Sequence, residues 1–259
     1  MRYLKLLALL FYTSLRVEFE YRLNFLFAFV SSLINLLGSL FGLGLFYRVT
    51  NTLGGWSFEE ALVVMGIFVF IEGFSQSVLM ANLNMIVEYI WKGTLDFVLL
   101  KPIDGQFYLS FRNFSVWGIP NMIFGLGVIL YGAYRLKAGP LDVILGIFSL
   151  ASSLTILYGI WFVLGSLSIW FVKIYNITFV LRQLVEAGRY PITAYPEIYR
   201  LFFTFVVPVI FLTTVPASFV VGQGKIAFIL ASIIIASISL AFSRAFWKFA
   251  LRHYSSASS

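Results

Sequence analysis

The sequence predicts an all-α membrane protein with about six transmembrane helices, and three observations lead to that class. The chain has 259 residues, of which 61% are hydrophobic and 11% charged, and its mean hydropathy is +0.95, unlike a soluble domain. Several segments supply the roughly 20 apolar residues that cross a hydrocarbon core of about 30 Å. Apolar and polar residues do not alternate over about ten positions, as they do in the strands of membrane barrels.

Residues 1–22 predict an amphipathic helix that lies at the membrane surface. Leu4, Leu7, Phe11 and Leu15 recur at helical spacing, and charged residues separate them. This pattern is typical of a helix that places one apolar face in the interface and keeps its charges in water.

Five long apolar segments then predict membrane spans. Between the fourth and fifth segments lies a region with several prolines, residues 173–222, where hydropathy allows either one or two crossings. The five segments are residues 24–46, 61–80, 116–134, 143–171 and 226–247.

The basic residues set the predicted orientation, because Lys and Arg concentrate in cytoplasmic loops. They cluster before the first span, between the second and third, and after the last, whereas the opposite loops hold few. Both termini are therefore predicted to be cytoplasmic in a multi-pass protein of the inner membrane. The clusters are Arg2, Lys5, Arg16 and Arg22, then Lys92, Lys101 and Arg112, and finally Arg244, Lys248 and Arg252.

Composition also excludes several kinds of site. The chain has no cysteine and one histidine, which removes disulfides and Cys/His zinc sites. The carboxylates are scattered, so no metal centre or acid/base pair is predicted. The net charge of +7 suits anionic lipid headgroups, and no nucleic-acid partner is predicted. The stretch VGQGKIAF, residues 221–228, lacks the glycine and the Ser or Thr that a phosphate-binding loop requires.

The stretch from Leu83 to Asp104 interrupts the apolar pattern with charges, a glycine and a proline. Its apolar residues recur at helical spacing and predict a short helix with one apolar face. The polar residues of this stretch lie on the other faces of that helix. Gly93 caps that helix, and Lys101 with Pro102 ends the next apolar turn. Periodicity leaves two interpretations open, a helix that shields the membrane boundary and a helix that a partner protein grips. The apolar set is Leu83, Ile86, Val87, Ile90 and Trp91; the polar set is Asn82, Asn84, Glu88 and Lys92.

Three motifs resemble one branch of the type-2 ABC exporter permeases, the branch often described as daunorubicin-resistance-like. GTLDFVLLKPID, residues 93–104, resembles the G-x-x-D-x-x-L-x-[KR]-P signature that follows the coupling helix in that branch, through Gly93, Asp96, Lys101 and Pro102. GGWSFEEALVVMGIF, residues 54–68, and the Pro-containing stretch 189–222 resemble two further elements, in the same order.

The resemblance implies a single permease domain over residues 1–259, with a cytoplasmic coupling region at 82–105. It implies two ATPase subunits and a second permease, identical or paralogous, with ATP and Mg²⁺ on the ATPase and no cofactor on this chain. The residues expected to contact the ATPase are Leu83, Ile86, Val87, Glu88, Tyr89, Trp91 and Lys92.

The resemblance also favours one of two topologies for the proline-containing region. In the favoured one, residues 173–190 form span five and residues 192–222 form a re-entrant helical hairpin on the extracytoplasmic side. Arg182 and Glu186 then lie in the membrane, where their i, i+4 spacing predicts an ion pair. In the alternative, residues 173–200 are cytoplasmic and 201–221 form span five, which fits the basic residues better.

Glu72 and Gln76 in span two, with Arg182 and Glu186, are the predicted polar groups of a pathway within the membrane. An ion-coupled secondary transporter that uses Glu72 is the alternative function, because a proton carrier needs such a carboxylate. The alternative for Glu72 itself is a hydrogen-bonded group that holds helices together. The 29 phenylalanines suit a lipid-like or amphipathic cargo, and they equally suit lipid contact.

Overall fold

The computed structural model describes residues 2–20, 22–171 and 177–254. These residues form helices and loops without a β-strand, so the predicted all-α class is confirmed. Residues 1 and 21 of the predicted interfacial helix and residues 173–176 of predicted span five lie outside this part. The helices are α1 (Arg2–Glu20), α2 (Arg22–Val49), α3 (Phe58–Trp91), α4 (Asp96–Leu99), α5 (Gly105–Phe111), α6 (Val116–Arg135), α7 (Pro140–Ile169), α8 (Ile177–Glu186), α9 (Glu197–Val206), α10 (Val209–Val220) and α11 (Ile226–Arg252).

Within the described residues, five helices are long and apolar enough to cross a membrane, and each corresponds to one predicted span; they are α2, α3, α6, α7 and α11. The chain is thus a multi-pass membrane protein. Their starts follow local chemistry: Ser57 and Glu60 form a reciprocal capping box at α3, and Pro140 occupies the first turn of α7, whose Asp142 accepts a hydrogen bond from the Gly139 N–H at 3.0 Å.

Helix α3 is the centre of the fold. Its apolar window is 78% buried, against 28% for α2 and 17% for α11. It packs on α6 through glycines: a Cβ on Gly73 would lie 2.5 Å from the Gly118 carbonyl oxygen, and one on Gly125 would lie 2.4 Å from the Phe70 nitrogen. Only residues without a side chain permit backbones to approach so closely.

The predicted short helix at residues 83–91 is not separate from span two. The α-helix Phe58–Phe74 continues through a π-helical segment, Ser75–Met80, into the α-helix Ala81–Trp91. The prediction placed the end of the span at Met80 because the polar residues begin there, but polar residues do not break a helix. Helix α3 therefore connects the interior of the fold to its tip without a loop.

Contacts between residues that are distant in sequence define two ends of the fold. At one end the Tyr3 and Phe107 rings are 4.8 Å apart, and the Trp170 and His253 rings are 5.7 Å apart. This terminal end therefore gathers α1, the 92–112 segment and the end of α11. The opposite, distal end holds the loops that follow α2, α6 and α10.

Trp170 lies at the terminal end and Ala194 at the distal end, and residues 172–176 between them are outside the described part. Trp170 contacts the end of α11, whereas the Ala194 backbone is so close to Gly54, in the loop after α2, that a Cβ on Gly54 would meet it at 2.4 Å. Between Trp170 and Ala194, α8 has ten residues, about 15 Å of helix, which is shorter than a full crossing. The fifth crossing that residues 173–190 predict stays a prediction.

Helices α9 and α10 form a pair bent by 71°, and both ends of the pair lie at the distal end. The pair begins just after Ala194, and beyond its other end Gln223 donates a hydrogen bond to Glu60 at the start of α3. Between them the Phe211 carbonyl accepts a hydrogen bond of 2.6 Å from Ser153, halfway along α7. These contacts favour the predicted re-entrant hairpin over the alternative in which residues 201–221 cross the membrane, and the hairpin stays a prediction.

Candidate functional site within the membrane and at the terminal end

Glu72 is held by two partners in the interior of the fold. It lies on α3 with 9% of its surface exposed, and its Oε1 accepts hydrogen bonds from Arg182 Nη2 at 2.9 Å and from Gln76 Nε2 at 3.2 Å. The predicted pair of Arg182 with Glu186 is therefore wrong. Arg182 instead connects α8 to α3, across 110 residues of sequence.

Glu186 pairs with Arg189, three residues along the chain. The same guanidinium donates to the Ser39 hydroxyl on α2 and lies 4.8 Å from the centre of the Phe68 ring on α3. A charged group over an aromatic face and next to a carboxylate is stabilised where water is scarce. The two ion pairs together join α2, α3 and the segment after α8.

An open polar face lies beside these pairs. A cavity of about 600 Å³ is lined by α2 and by the segment around α8. Asn35 and Gln183 on its walls are exposed, and no atom lies within 4 Å of the position that a Cβ on Gly38 would take. Polar and charged groups at membrane depth face protein or water rather than lipid. The lining residues are Asn35, Gly38, Ser39, Gln183, Glu186, Ala187, Arg189, Tyr190 and Tyr195.

The predicted contact residues at the tip of α3 divide into two groups. Leu83, Ile86 and Val87 are buried; Leu83 and Ile86 pack where Gly165 leaves room on α7. Their apolar face meets another helix of the same chain, so it does not form the surface. The surface-reaching members are Glu88 and Lys92, which form an i, i+4 ion pair, and Trp91, which is 57% exposed, while Tyr89 is half-buried.

Asn82 was expected on the polar face, and this expectation is wrong. Asn82 is buried, its amide nitrogen donates to the Asn113 carbonyl at 2.8 Å, and its amide oxygen accepts from the Asn113 N–H at 2.9 Å. An asparagine can satisfy a backbone donor and acceptor at once, which fixes one chain segment against another. Asn82 thus attaches the start of the third span to α3.

The motif residues shape the turn that follows α3. Gly93 adopts φ +65°, and the N–H groups of Gly93 and Thr94 donate to the carbonyls of Ile90 and Tyr89, the pattern that closes a helix with glycine. The predicted cap at Gly93 is confirmed. Asp96 begins α4, and Lys101 with Pro102 follows the end of that helix, where the Lys101 ammonium lies 5.4 Å from the centre of the Tyr108 ring.

Asp104 ties this region to the last helix. It accepts a hydrogen bond from the Phe107 N–H at 2.9 Å as the N-cap of α5, and it pairs with Arg244 of α11. Burial acts to raise the pKa of Asp104, but the hydrogen bonds from Arg244 and from the Phe107 and Gln106 N–H groups lower it below its usual value. Sequence patterns could not reveal this pair, because 140 residues separate its members.

A second feature that the sequence did not reveal is an apolar patch at the terminal end. Trp91 at the end of α3 is 57% exposed, Phe97 on α4 69%, and Leu100, directly after α4, 80%, and all three lie beyond the predicted span. We call these three residues the tip patch. Large apolar side chains that cluster on a surface mark a contact with protein or membrane.

Comparison with known proteins agrees with this architecture. The sequence profile of the ABC-2 family transporter proteins matches residues 33–258, which covers α3 to α11 and most of α2. No curated protein matches the chain. With most of the chain covered, and with an arrangement of spanning helices that suits a transporter membrane domain, the protein belongs to the ABC-2 family of membrane transporter proteins.

Proposed function

We propose that the chain is the permease subunit of an ATP-driven exporter and forms half of a translocation pathway. Two permeases and two ATPase subunits make up the transporter, which lies in the inner membrane with the terminal end in the cytoplasm. Family membership supports the permease role, and the tip patch on a helix that reaches the interior is the observation that carries the coupling.

The tip patch is the proposed contact with the ATPase. It lies beyond the membrane in the predicted topology, where exposed Trp91, Phe97 and Leu100 would otherwise face water. The neighbouring Glu88 and Lys92 supply charges at its edge, as at a typical interface with an apolar core and a polar rim. Aromatic residues of this kind carry much of the binding energy at protein interfaces.

Helix α3 transmits the motion in this mechanism. Closure of the two ATPases around ATP would press on the tip, and the helix continues from there to Glu72, which holds Arg182 of α8. The π-helical segment Ser75–Met80 lies between the tip and Glu72; such segments occur often at functional sites of helices. A shift of α3 would therefore move the α8 segment and change the shape of the polar face.

The polar face is the proposed half-pathway, closed by a second permease. Exposed polar groups such as Asn35 and Gln183 need a polar surrounding within the membrane, and a second copy that leaves a wet passage supplies it. The cavity has Arg189 and Glu186 beside Tyr190 and Tyr195. Charge beside aromatic surface suits an amphipathic or lipid-like cargo.

ATP and Mg²⁺ belong to the partner in this proposal, and the chain binds no cofactor. Among the described residues, no three or more His, Cys, Asp or Glu side chains form a group that could hold a metal ion. Gly222 and Gly224 follow the end of helix α10. The sequence around these glycines lacks the residues of a phosphate-binding loop.

The alternative is an ion-coupled carrier in which Glu72 takes up and releases a proton. Glu72 already accepts hydrogen bonds from Arg182 and Gln76, so its carboxylate is occupied in holding α8 against α3. This arrangement supports the structural role more than the carrier role. Transport by the purified chain in vesicles distinguishes the two functions. Cargo movement by the chain alone under a proton gradient that is lost in Glu72→Gln would favour the carrier.

Copurification tests the ATPase contact. The double variant Trp91→Ala with Phe97→Ala should lower the ATPase recovered with the detergent-solubilised chain by about tenfold or more, because the variant removes two exposed aromatic anchors. Tyr134→Ala is the matched control, since Tyr134 is an 80% exposed aromatic residue at the distal end. Equal recovery from both variants would contradict the proposal.

Site labelling tests the orientation. The chain has no cysteine, so each introduced cysteine reports one position. Gln223→Cys at the distal end should react in intact cells with a maleimide that does not cross membranes, whereas Leu100→Cys in the tip patch should react only after the cells are opened. The reverse pattern would place the tip patch outside the cell and end the coupling proposal.

A further inference from the structure

Arg112 is an arginine without a counter-ion, at the end of α5. It is half-buried, and its guanidinium lies 5.2 Å from the centre of the Tyr108 ring and 5.5 Å from that of Tyr89. Among the described residues, no carboxylate or hydrogen-bond acceptor contacts this guanidinium. The other two half-buried arginines, Arg189 and Arg244, each pair with a carboxylate.

Arg112 lines a cavity of about 500 Å³ between α1 and α3. Helix α1 contributes Leu10, Thr13 and Ser14, and α3 contributes Met85. The cavity thus combines a cation and hydroxyl groups with apolar walls. Room is therefore present beside the charge for a group larger than a water molecule.

The electrostatics call for an anion. A partly buried guanidinium has five N–H donors in a fixed fork, and leaving them unsatisfied costs free energy. The two tyrosine rings offer attraction to their faces but accept few of these hydrogen bonds. A phosphate matches the fork of an arginine with two parallel hydrogen bonds and supplies the missing charge.

The position of the cavity identifies the source of the phosphate. Ala81 and Met85 on its wall lie six to ten residues before Trp91, about 9–15 Å from the tip along the helix, so the cavity is set back from the proposed protein contact. Its other wall is the amphipathic helix α1, which marks the headgroup level. Beside it, the Phe11 and Phe114 rings are 4.6 Å apart, and Phe11 is 46% exposed, which gives an acyl chain an apolar route out.

We infer that the cavity between α1 and α3 is a binding site for an anionic phospholipid of the leaflet at the terminal end, with its phosphate on Arg112. The lipid fills the space between the interfacial helix and α3, and its acyl chain leaves along Phe11 and Phe114. The site lies apart from the polar face and from the tip patch, so it goes beyond the proposed transport function.

Native mass spectrometry of the purified full chain tests the site. The chain is titrated with phosphatidylglycerol or with phosphatidylcholine of the same acyl chains. The wild type should retain phosphatidylglycerol at about tenfold lower concentration than phosphatidylcholine, because the choline cation partly offsets the phosphate charge that pairs with Arg112, whereas phosphatidylglycerol carries an uncompensated negative charge. Arg112→Gln should abolish this preference, Arg112→Lys should keep part of it, and Arg252→Gln, an exposed arginine at the same end, should leave it unchanged.

Two further experiments distinguish a lipid from a soluble phosphate and control for misfolding of the Arg112 variant. Glycerol 3-phosphate at the same concentration should not displace the lipid; displacement would assign the site to a soluble phosphate and overturn the lipid. Met85→Trp keeps Arg112 and fills the cavity, so it should also lose the preference. If Arg112→Gln and Met85→Trp both keep the preference for phosphatidylglycerol, the inference is overturned. It is also overturned if Arg112→Gln releases an ATPase but still retains the lipid, because Arg112 would then be a protein contact.

Discussion

Two of the carboxylate–arginine pairs that connect distant parts of the chain differ in their surroundings. Glu72–Arg182 joins α3 to α8 inside the membrane and beside the open polar face, with the carboxylate side chain only 10% exposed. Asp104–Arg244 joins the start of α5 to α11 at the terminal end, with both side chains about one-third or more exposed. The Glu72 carboxylate is thus enclosed by protein although 46% of the Arg182 side chain is exposed, whereas both members of the second pair keep partial contact with solvent.

The difference teaches what each pair can contribute. A buried carboxylate that loses its partner is left as an uncompensated charge, which is costly. An exposed pair is screened and contributes little by itself, but Asp104 also caps a helix. The membrane pair therefore controls whether α8 stays on α3, and the terminal pair fixes where the coupling region sits relative to α11.

Removal of Arg182 should give the largest effect. Arg182→Leu leaves Glu72 without its cation, and we expect a loss of about 2–3 kcal/mol, below the value for a fully buried pair because Arg182 is partly exposed. Thermal unfolding in detergent measures it.

The double variant Glu72→Gln with Arg182→Leu should recover much of that loss, because no charge is then left unpaired. Arg200→Leu, an exposed arginine, is the control for a lost surface charge. Equal effects of Arg182→Leu and Arg200→Leu would show that the membrane pair behaves like a surface pair.

Substitutions of Asp104 should separate the stability contributed by the helix cap from that contributed by the ion pair. Asp104→Asn keeps an oxygen for the Phe107 N–H and loses the charge, and it should cost less than 1 kcal/mol. Asp104→Ala loses both and should cost about 1 kcal/mol more. Denaturation of the two variants under the same detergent conditions gives the comparison; if Asn and Ala were equal, the cap would contribute nothing.

The pH dependence of the terminal pair is a smaller effect with a defined sign. The folded-state pKa of Asp104 is lowered, so its stabilisation is present above the ordinary aspartate pKa of about 4 and is lost as the pH falls through the lowered value. Wild type should lose its advantage over Asp104→Asn below about pH 4. A constant difference down to pH 2.5 would contradict the assignment.

Loss of the exposed Glu88–Lys92 pair should have the smallest effect on stability. Lys92→Gln should change stability by about 0.3–0.5 kcal/mol or less, while Trp91→Ala beside it should leave stability intact and lower ATPase recovery. A larger stability loss from Lys92→Gln than from Asp104→Asn would reverse the order that exposure predicts.

Sequence reasoning predicted the spans because a hydrocarbon core demands long apolar helices, and α2, α6, α7 and α11 had no alternative. It predicted the cap at Gly93 because a helix end there requires positive φ. It failed on partners: only local spacing was visible, so Arg182 was assigned to Glu186 rather than to Glu72, which lies 110 residues away.

The helical pattern also could not tell which face of a helix meets another helix. Asn82 and Leu83 illustrate this, since the first was expected outside and the second was expected on the partner surface, yet both are buried. Both misjudgements share one cause. In a membrane protein, apolar residues can face lipid or protein, and polar residues can face a backbone that only the fold brings near.

The glycine contacts between α3 and α6 constrain how such a transporter can move. With no space for even one methyl group between Gly73 and Gly118 or between Gly125 and Phe70, these two helices cannot slide past each other without backbone collision. They travel as one rigid body. In the proposed mechanism a push on the tip of α3 would therefore carry α6 with it, and α8 through the Glu72–Arg182 pair.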